Sequence, residues 1–122
     1  MSKQNIYSNL PVYEATYQLL LGVHRIQQNL SRDVRYTIGQ GLTKLLMNIL
    51  ITIYEANISR EKHPLLMRGR KLAVEAKVTL RVLNDLHQIS EKQYVQLIDQ
   101  AESVSKQLTA WDNSLKPPVQ KE

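Results

Sequence analysis

The chain of 122 residues has no cysteine and no long apolar run. Without cysteine there is no disulfide framework, no thiolate nucleophile and no sulfur-ligated metal. The first residues, MSKQNIYSNLP, lack the apolar core of a signal peptide. The longest apolar stretch, 45–53, is interrupted by Asn48 and Thr52 and is too short to cross a bilayer. We therefore expect a cytoplasmic protein that does not enter a membrane.

Strand patterns are also missing, because no segment alternates apolar and polar residues as a half-buried strand does. Apolar residues instead recur at helical spacing in four segments joined by short connections. Helices are predicted over about 11–30, 32–60, 64–88 and 90–112. Short connections favour antiparallel neighbours, so we predict an all-α fold, an up-down four-helix bundle.

The ends of the predicted helices carry recognisable residues. Pro11 and Pro64 suit first helical turns, because proline has no amide hydrogen to leave unpaired. Ser31 is a candidate N-cap of the second helix, and the SEKQ sequence from Ser90 to Gln93 is typical of a capping box. The sequence thus divides into an N-terminal extension (1–10), the bundle domain (11–112) and a flexible C-terminal tail (113–122).

The stretch RYTIGQGL, residues 35–42, places Gly39 and Gly41 within one turn of the second predicted helix. Each glycine inside a helix costs roughly 1 kcal/mol relative to alanine. On a helical projection the two glycines flank the core stripe. We expect that they let a neighbouring helix approach closely or let the helix bend. A phosphate-binding glycine loop would need a preceding strand, which the sequence does not predict.

Few residues indicate catalysis or metal binding. His24, His63 and His87 fall on three different segments without the spacing of metal ligands. Asp99 and Glu102 lie three residues apart and fit a solvated acidic face. We therefore expect no enzyme activity, no metal, no cofactor and no small-molecule substrate.

The formal net charge of +5 is concentrated on residues 62–89, which carry six basic and two acidic residues. Arg70, Lys77 and Arg81 follow one another at intervals of seven and four, so they form one stripe on a helix. Such a stripe indicates either contact with phosphate or an acidic protein surface, or an ordinary solvated face. The candidate contact residues on this segment are Arg68, Arg70, Lys71, Lys77 and Arg81.

A second apolar row lies beside the basic stripe, away from the leucines of the predicted core. It either contacts another molecule or is buried by a shifted bundle geometry. The second helix also carries apolar residues outside its core stripe. Together the two helices favour a homo-oligomer. The candidate interface residues are Met67, Val74, Val78, Val82, Met47 and Ile51.

Several short motifs in this order resemble the Avd family, the accessory variability determinants of diversity-generating retroelements. The family shares its bundle with the ribosomal RNA intervening-sequence proteins. The resemblance covers roughly residues 12–115. The motifs are RYTIGQGL (35–42), YEAN (54–57), HPLL (63–66), LRVLNDL (80–86), SEKQY (90–94) and the late Trp111.

The resemblance implies a homopentameric barrel of four-helix protomers with a basic outer surface. It implies binding to a reverse transcriptase and its template RNA in support of mutagenic cDNA synthesis and retrohoming, without catalytic activity. Lys77 and Arg81 stand where the family has basic residues, and Arg35 matches the arginine before its Thr-(Leu/Ile)-Gly-Gln motif. Gly41 departs from the family pattern, which often has arginine there, and so removes one possible phosphate contact.

Thr109 and Ala110 also depart, because two glycines often precede the tryptophan in that family. The packing at the end of the fourth helix is therefore expected to differ. The alternative function is a structural or adaptor bundle of the intervening-sequence type that binds only protein. This alternative accounts for the second apolar row without any RNA.

Overall fold

The computed structural model describes residues 10–116, and within this range it contains four helices and no strand. The predicted all-α fold is thus confirmed. The predicted N-terminal extension and C-terminal tail lie mostly outside the described residues. The helices are α1 (Pro11–Gln27), α2 (Arg32–Val34, Arg35–Gly39 and Gln40–Ile58 in direct succession), α3 (Lys62–Asp85) and α4 (Glu91–Ser114).

Each helix packs against the one that follows it, and α4 returns to pack against α1. The pairing is antiparallel: Arg70 of α3 meets Asp112 of α4, while Lys77 meets Ser105. Later residues of one helix therefore contact earlier residues of the next. The result is the up-down four-helix bundle that the short connections predict.

The apolar stripes of all four helices meet in one core. Burying a leucine or isoleucine side chain contributes about 2 kcal/mol each, so this core is the main stabilising feature of the bundle. Most residues of the predicted apolar stripes are buried. The stripe residues that are only half-buried are Ala15, Ile38, Leu45, Leu65, Leu72, Tyr94 and Trp111. The largest fully buried apolar side chains are Leu19, Val23, Leu42, Leu46, Ile49, Ile53, Leu66, Leu80, Leu83, Val104 and Leu108.

The predicted capping box of α4 is confirmed. The Ser90 hydroxyl accepts the Gln93 backbone N–H at 3.0 Å, and the Gln93 side-chain oxygen accepts the Ser90 N–H at 2.9 Å. Ser31 precedes α2 as predicted, but its side chain makes no capping bond. Its backbone N–H instead donates to the Gln88 side-chain oxygen at 2.9 Å, which ties together the two loops at this end of the bundle.

Helix α3 differs from its predicted limits at both ends. It begins two residues before Pro64, and the Lys62 ammonium group donates to the backbone oxygens of Ala56, Asn57 and Ser59 at 2.7–3.2 Å. Lys62 thus caps the C-terminus of α2. The other end stops at Asp85, because His87 adopts a left-handed conformation with φ of 59° that terminates the helix.

The two glycines of α2 play different roles. Arg35–Gly39 forms a π-helical turn, which we did not predict, and Gly39 is buried at its end. A Cβ on Gly39 would lie 3.0 Å from Leu30 Cδ1 in the α1–α2 connection and 3.4 Å from the Val34 carbonyl oxygen of α2 itself. Close packing therefore explains this glycine, but the packed atoms belong mainly to the connection and to α2 rather than to the neighbouring helix that we predicted. A Cβ on Gly41 would meet no atom within 4 Å, so close packing does not explain that glycine.

Candidate interaction surface

The predicted basic stripe of α3 is aligned as expected, but each of its cations faces a carboxylate. Arg70 Nη1 lies 2.9 Å from Asp112 Oδ2. Lys77 Nζ lies 3.5 Å from Glu102 Oε1 and 3.5 Å from the Ser105 hydroxyl. Arg81 Nε lies 3.7 Å from Asp85 Oδ2, and its side chain is 75% exposed. Of the three cations, Arg81 is therefore the most accessible to a partner.

Asp112 is the centre of a small charged network between α3 and α4. Its side chain is fully buried, and its two oxygens lie 2.6 Å from His63 Nδ1 and 2.9 Å from Arg70 Nη1. Burial alone raises the pKa of this carboxyl. The hydrogen bonds from His63 and Arg70, together with their charges, outweigh burial and hold its pKa below the ordinary value of 3.8.

Our reading of the sequence missed this network, although one signal was available. Asp112 follows Leu108 by four residues and therefore falls on the buried stripe of α4. A carboxylate at such a position requires a cationic or hydrogen-bonding partner. The sequence did not indicate that Arg70 and His63 would be those partners, since they lie 42 and 49 residues away.

Arg68 and Lys71, the other two predicted contact residues of α3, are exposed. Neither makes an ion pair with a residue in the range 10–116. Their positive charges therefore face solvent, and they remain accessible for contact with an anionic partner.

Arg35 lies away from the stripe of α3 and has local partners. Its Nη2 donates to the backbone oxygens of Gln28 at 2.9 Å and Leu30 at 3.3 Å. These carbonyls follow the end of α1, where an arginine stabilises unpaired backbone oxygens. The guanidinium carbon also lies 5.9 Å from the centre of the Tyr36 ring. This geometry gives Arg35 a structural role in joining α1 to α2.

The second apolar row of α3 is exposed in the protomer. Met67, Val74, Val78 and Val82 are 48%, 51%, 59% and 38% exposed. The alternative in which a shifted bundle buries these residues internally is therefore wrong. With 100° per residue, Arg81 falls beside Val74 at one edge of the row, Lys71 falls between Val78 and Val82, and Arg68 falls beyond Val82. Exposed cations therefore lie along and beside the row.

The exposed apolar residues of α2 form a separate row. Met47 and Ile51 are 42% and 49% exposed, and Ile58 further along is 59% exposed. Met47 lies within about 40° of Thr43 on the helical projection. The Thr43 hydroxyl donates to Gln27 of α1, so this row faces the α1 side of α2 rather than the α3 side. The protomer thus carries two distinct apolar rows.

A polar groove of about 390 Å³ lies between α1 and α4, where no contact residue was predicted. Its lining includes Gly22, where a Cβ would lie 3.0 Å from Leu97 Cδ2. The remaining lining residues are mostly uncharged amides: Gln18, Gln93, Gln96 and Gln100, together with Arg25, Ile26 and Leu97.

Residues 10–116 contain no group of three or more His, Cys, Asp or Glu side chains that could hold a metal ion. None of the helices in this range is long and apolar enough to cross a membrane. No protein-family model matches the chain, and a search of curated proteins finds no match.

Proposed function

We propose that this chain is a non-enzymatic accessory protein of a diversity-generating retroelement, as its resemblance to the Avd family implies. It binds the reverse transcriptase and the template RNA and supports mutagenic cDNA synthesis. The observation that carries this proposal is the exposed apolar row of α3 together with the exposed cations Arg68, Lys71 and Arg81 along and beside it. A row of this kind is suited to a protein partner, while the flanking cations are suited to phosphate or an acidic protein surface.

The two apolar rows support assembly of protomers into a ring, and the resemblance to the Avd family implies that the ring has five. Because the row on α2 and the row on α3 lie on different parts of the surface, one row can pack against the other row of the next protomer. Such a head-to-tail contact closes into a ring when the rotation between neighbours is suitable. The proposed interface residues are Met47 and Ile51 on α2 with Met67, Val74, Val78 and Val82 on α3.

Light scattering at moderate salt tests the assembly. We expect a mass near five times the protomer mass of 14.1 kDa. Val78→Glu should lower the mass to that of a monomer, because a charge would then be buried without a partner. Val95→Glu is the matched control, since Val95 is 49% exposed on α4, outside both rows. A monomeric wild-type protein would contradict the assembly.

Salt-dependent RNA binding tests the cationic surface. Each cation that binds a phosphate of single-stranded RNA adds about 0.7 to the slope of log K against log salt. Lys71→Ala with Arg81→Ala should therefore flatten the slope by about 1.4, since both side chains are exposed. Arg32→Ala with Lys92→Ala removes the same charge from exposed positions at the ends of α2 and α4. An equal effect of the two double variants would show that net charge, not this surface, determines binding.

A second candidate function is the adaptor bundle that binds only protein. It is favoured by the ion pairs of Arg70, Lys77 and Arg81, because paired cations are less available to phosphate. This candidate predicts RNA binding no tighter than about 10⁻⁴ M at physiological salt. It would also lack a reverse transcriptase gene beside its own, so the neighbouring genes distinguish the two functions at once.

A further inference from the structure

An apolar groove of about 350 Å³ lies where α1 begins and α4 ends, apart from the polar groove around Gly22. Pro11 and Ala110 in its lining are exposed, whereas Leu10 and Trp111 are half-buried. Apolar surface, including part of the one tryptophan of the chain, therefore faces solvent here. We name this site the Trp111 groove; its lining residues are Leu10, Pro11, Val12, Gln107, Ala110 and Trp111.

The chemistry of the Trp111 groove suits an apolar occupant. The described residues that line it include no charged side chain, and their one polar side chain is that of Gln107. Gln107 Nε2 already donates to the Ser103 hydroxyl at 3.0 Å. An apolar cavity of about 150 Å³ holds a benzene ring, so the Trp111 groove has room for an aromatic side chain together with an aliphatic one.

We propose that the N-terminal segment of the same chain, residues 1–9, packs into the Trp111 groove through Ile6 and Tyr7. Leu10, which directly follows this segment, already lines the groove. An extended chain spans at most about 3.6 Å per residue, so Ile6 and Tyr7 lie within about 14 Å of Leu10. The α4 wall of the groove needs only about 6 Å of helix, four residues from Gln107 to Trp111, so this length is enough to cross it.

Composition favours the N-terminal segment over the C-terminal tail as the occupant. Residues 1–9 contain an aromatic and a long aliphatic side chain and only one charged side chain. Residues 117–122, PPVQKE, contain Val119 as their one branched aliphatic residue and end on two charged side chains. Leu115, shortly before this tail, lines a different cleft beside His63.

Covalent attachment favours the N-terminal segment over a separate molecule. A segment joined to its site by a short linker is present there at an effective concentration in the millimolar range. A separate protein that offers one or two apolar side chains must exceed this concentration to displace it. Burial of Ile6 and Tyr7 would also cover the exposed apolar surface of the groove, which is favourable in water. The inference depends neither on RNA binding nor on assembly into a ring.

Fluorescence of the full chain tests the inference directly, because Trp111 is its one tryptophan. In the double variant Ile6→Ser/Tyr7→Ser, we expect the emission to shift to longer wavelengths than in the wild type. Acrylamide should also quench the emission more strongly, because water then reaches more of the indole ring. In the wild type, nuclear Overhauser signals should connect the Tyr7 ring with the Trp111 indole.

Val119→Ser is the matched control, since it removes an apolar side chain from the other end of the chain. It should leave the emission of Trp111 unchanged, and circular dichroism should show that all variants are folded. Unchanged emission and quenching in Ile6→Ser/Tyr7→Ser would overturn the inference. A shift caused by Val119→Ser instead would assign the groove to the C-terminal tail. A wild-type emission that moves to longer wavelengths on dilution, with no effect of the double variant, would assign it to a second copy of the chain; both results would overturn the inference.

Discussion

The two sides of α4 that face its neighbouring helices carry different kinds of polar side chain. Towards α3, Asp112 and Glu102 face Arg70 and Lys77, so opposite charges neutralise each other within the protomer. Towards α1, uncharged glutamines surround Gly22, and most of their polar atoms face solvent. On the α3 side, substitution of one charged residue leaves its partner unpaired and should destabilise the fold. On the α1 side, the polar side chains are available to an outside partner. Substitutions on each side test this difference.

The largest effect is expected for Arg70→Met, which leaves the fully buried Asp112 with only His63. A buried carboxylate that loses a charged partner destabilises the fold, here by about 2–3 kcal/mol, because water reaches part of the network through the exposed His63. Urea unfolding measures the change. Lys77→Met is the control, since its 3.5 Å pair with the half-exposed Glu102 should contribute under about 1 kcal/mol. Equal losses in the two variants would contradict the special role of Asp112.

A smaller loss is expected on the α1 side for Gly22→Leu. The new Cβ would lie 3.0 Å from Leu97 Cδ2, so the side chain should overpack the contact between helices and cost about 1–2 kcal/mol. Gly41→Leu is the matched control, because nothing lies within 4 Å of a Cβ there and leucine is the better helix former. Thermal unfolding should show opposite shifts, and a stabilised Gly22→Leu would show that the groove tolerates filling.

We expect Asp112 to contribute to the loss of stability at acid pH. Its folded-state pKa is below 3.8, so its contribution is fully present above the unfolded-state pKa of about 4 and is lost as the pH falls through the lower folded value. Asp112→Asn should therefore reduce the fall in melting temperature below about pH 4, although its stability at neutral pH is lower. If the melting temperatures of both proteins fell equally steeply below about pH 4, other carboxyl groups would control the loss of stability in acid.

The smallest change in stability is expected for Asp85→Asn with Glu102→Gln, which removes the carboxylates beside Arg81 and Lys77. Both pairs are partly exposed, so together they should contribute under about 1 kcal/mol. The freed cations should nevertheless strengthen RNA binding and increase the salt slope by up to about 0.7 for each new phosphate contact. An unchanged slope would place the RNA away from these two residues and favour the adaptor function.

Much of the fold followed from local pattern. The start of α1 at Pro11 and the capping box of Ser90 depend on residues a few positions apart, and both match the structure. The π-helical turn and the early start of α3 were not predicted. In α3, Lys62 bonds to the end of the preceding helix, which is a contact between elements rather than a property of the local sequence.

The candidate surface was predicted only in part. Helical spacing correctly aligned the α3 cations and indicated an apolar row outside the core, because both features repeat along one helix. It could not show that Asp112, Glu102 and Asp85 lie beside these cations, or that Arg35 bonds to the end of α1. It also missed the α1–α4 groove, whose residues come from helices about 70 residues apart in the chain.

The sequence by itself determined the helices, their amphipathic faces and the excess of positive charge on α3, since these depend on composition and spacing within a single segment. Only the tertiary structure decided which charges neutralise one another and which polar side chains remain available. Packing of the core fixes how far each helix is rotated about its axis and shifted along its neighbour. This arrangement determines which residues, distant in the sequence, come into contact. In this protein, packing buries Asp112 against Arg70 and leaves Gln96 and Gln100 open beside Gly22.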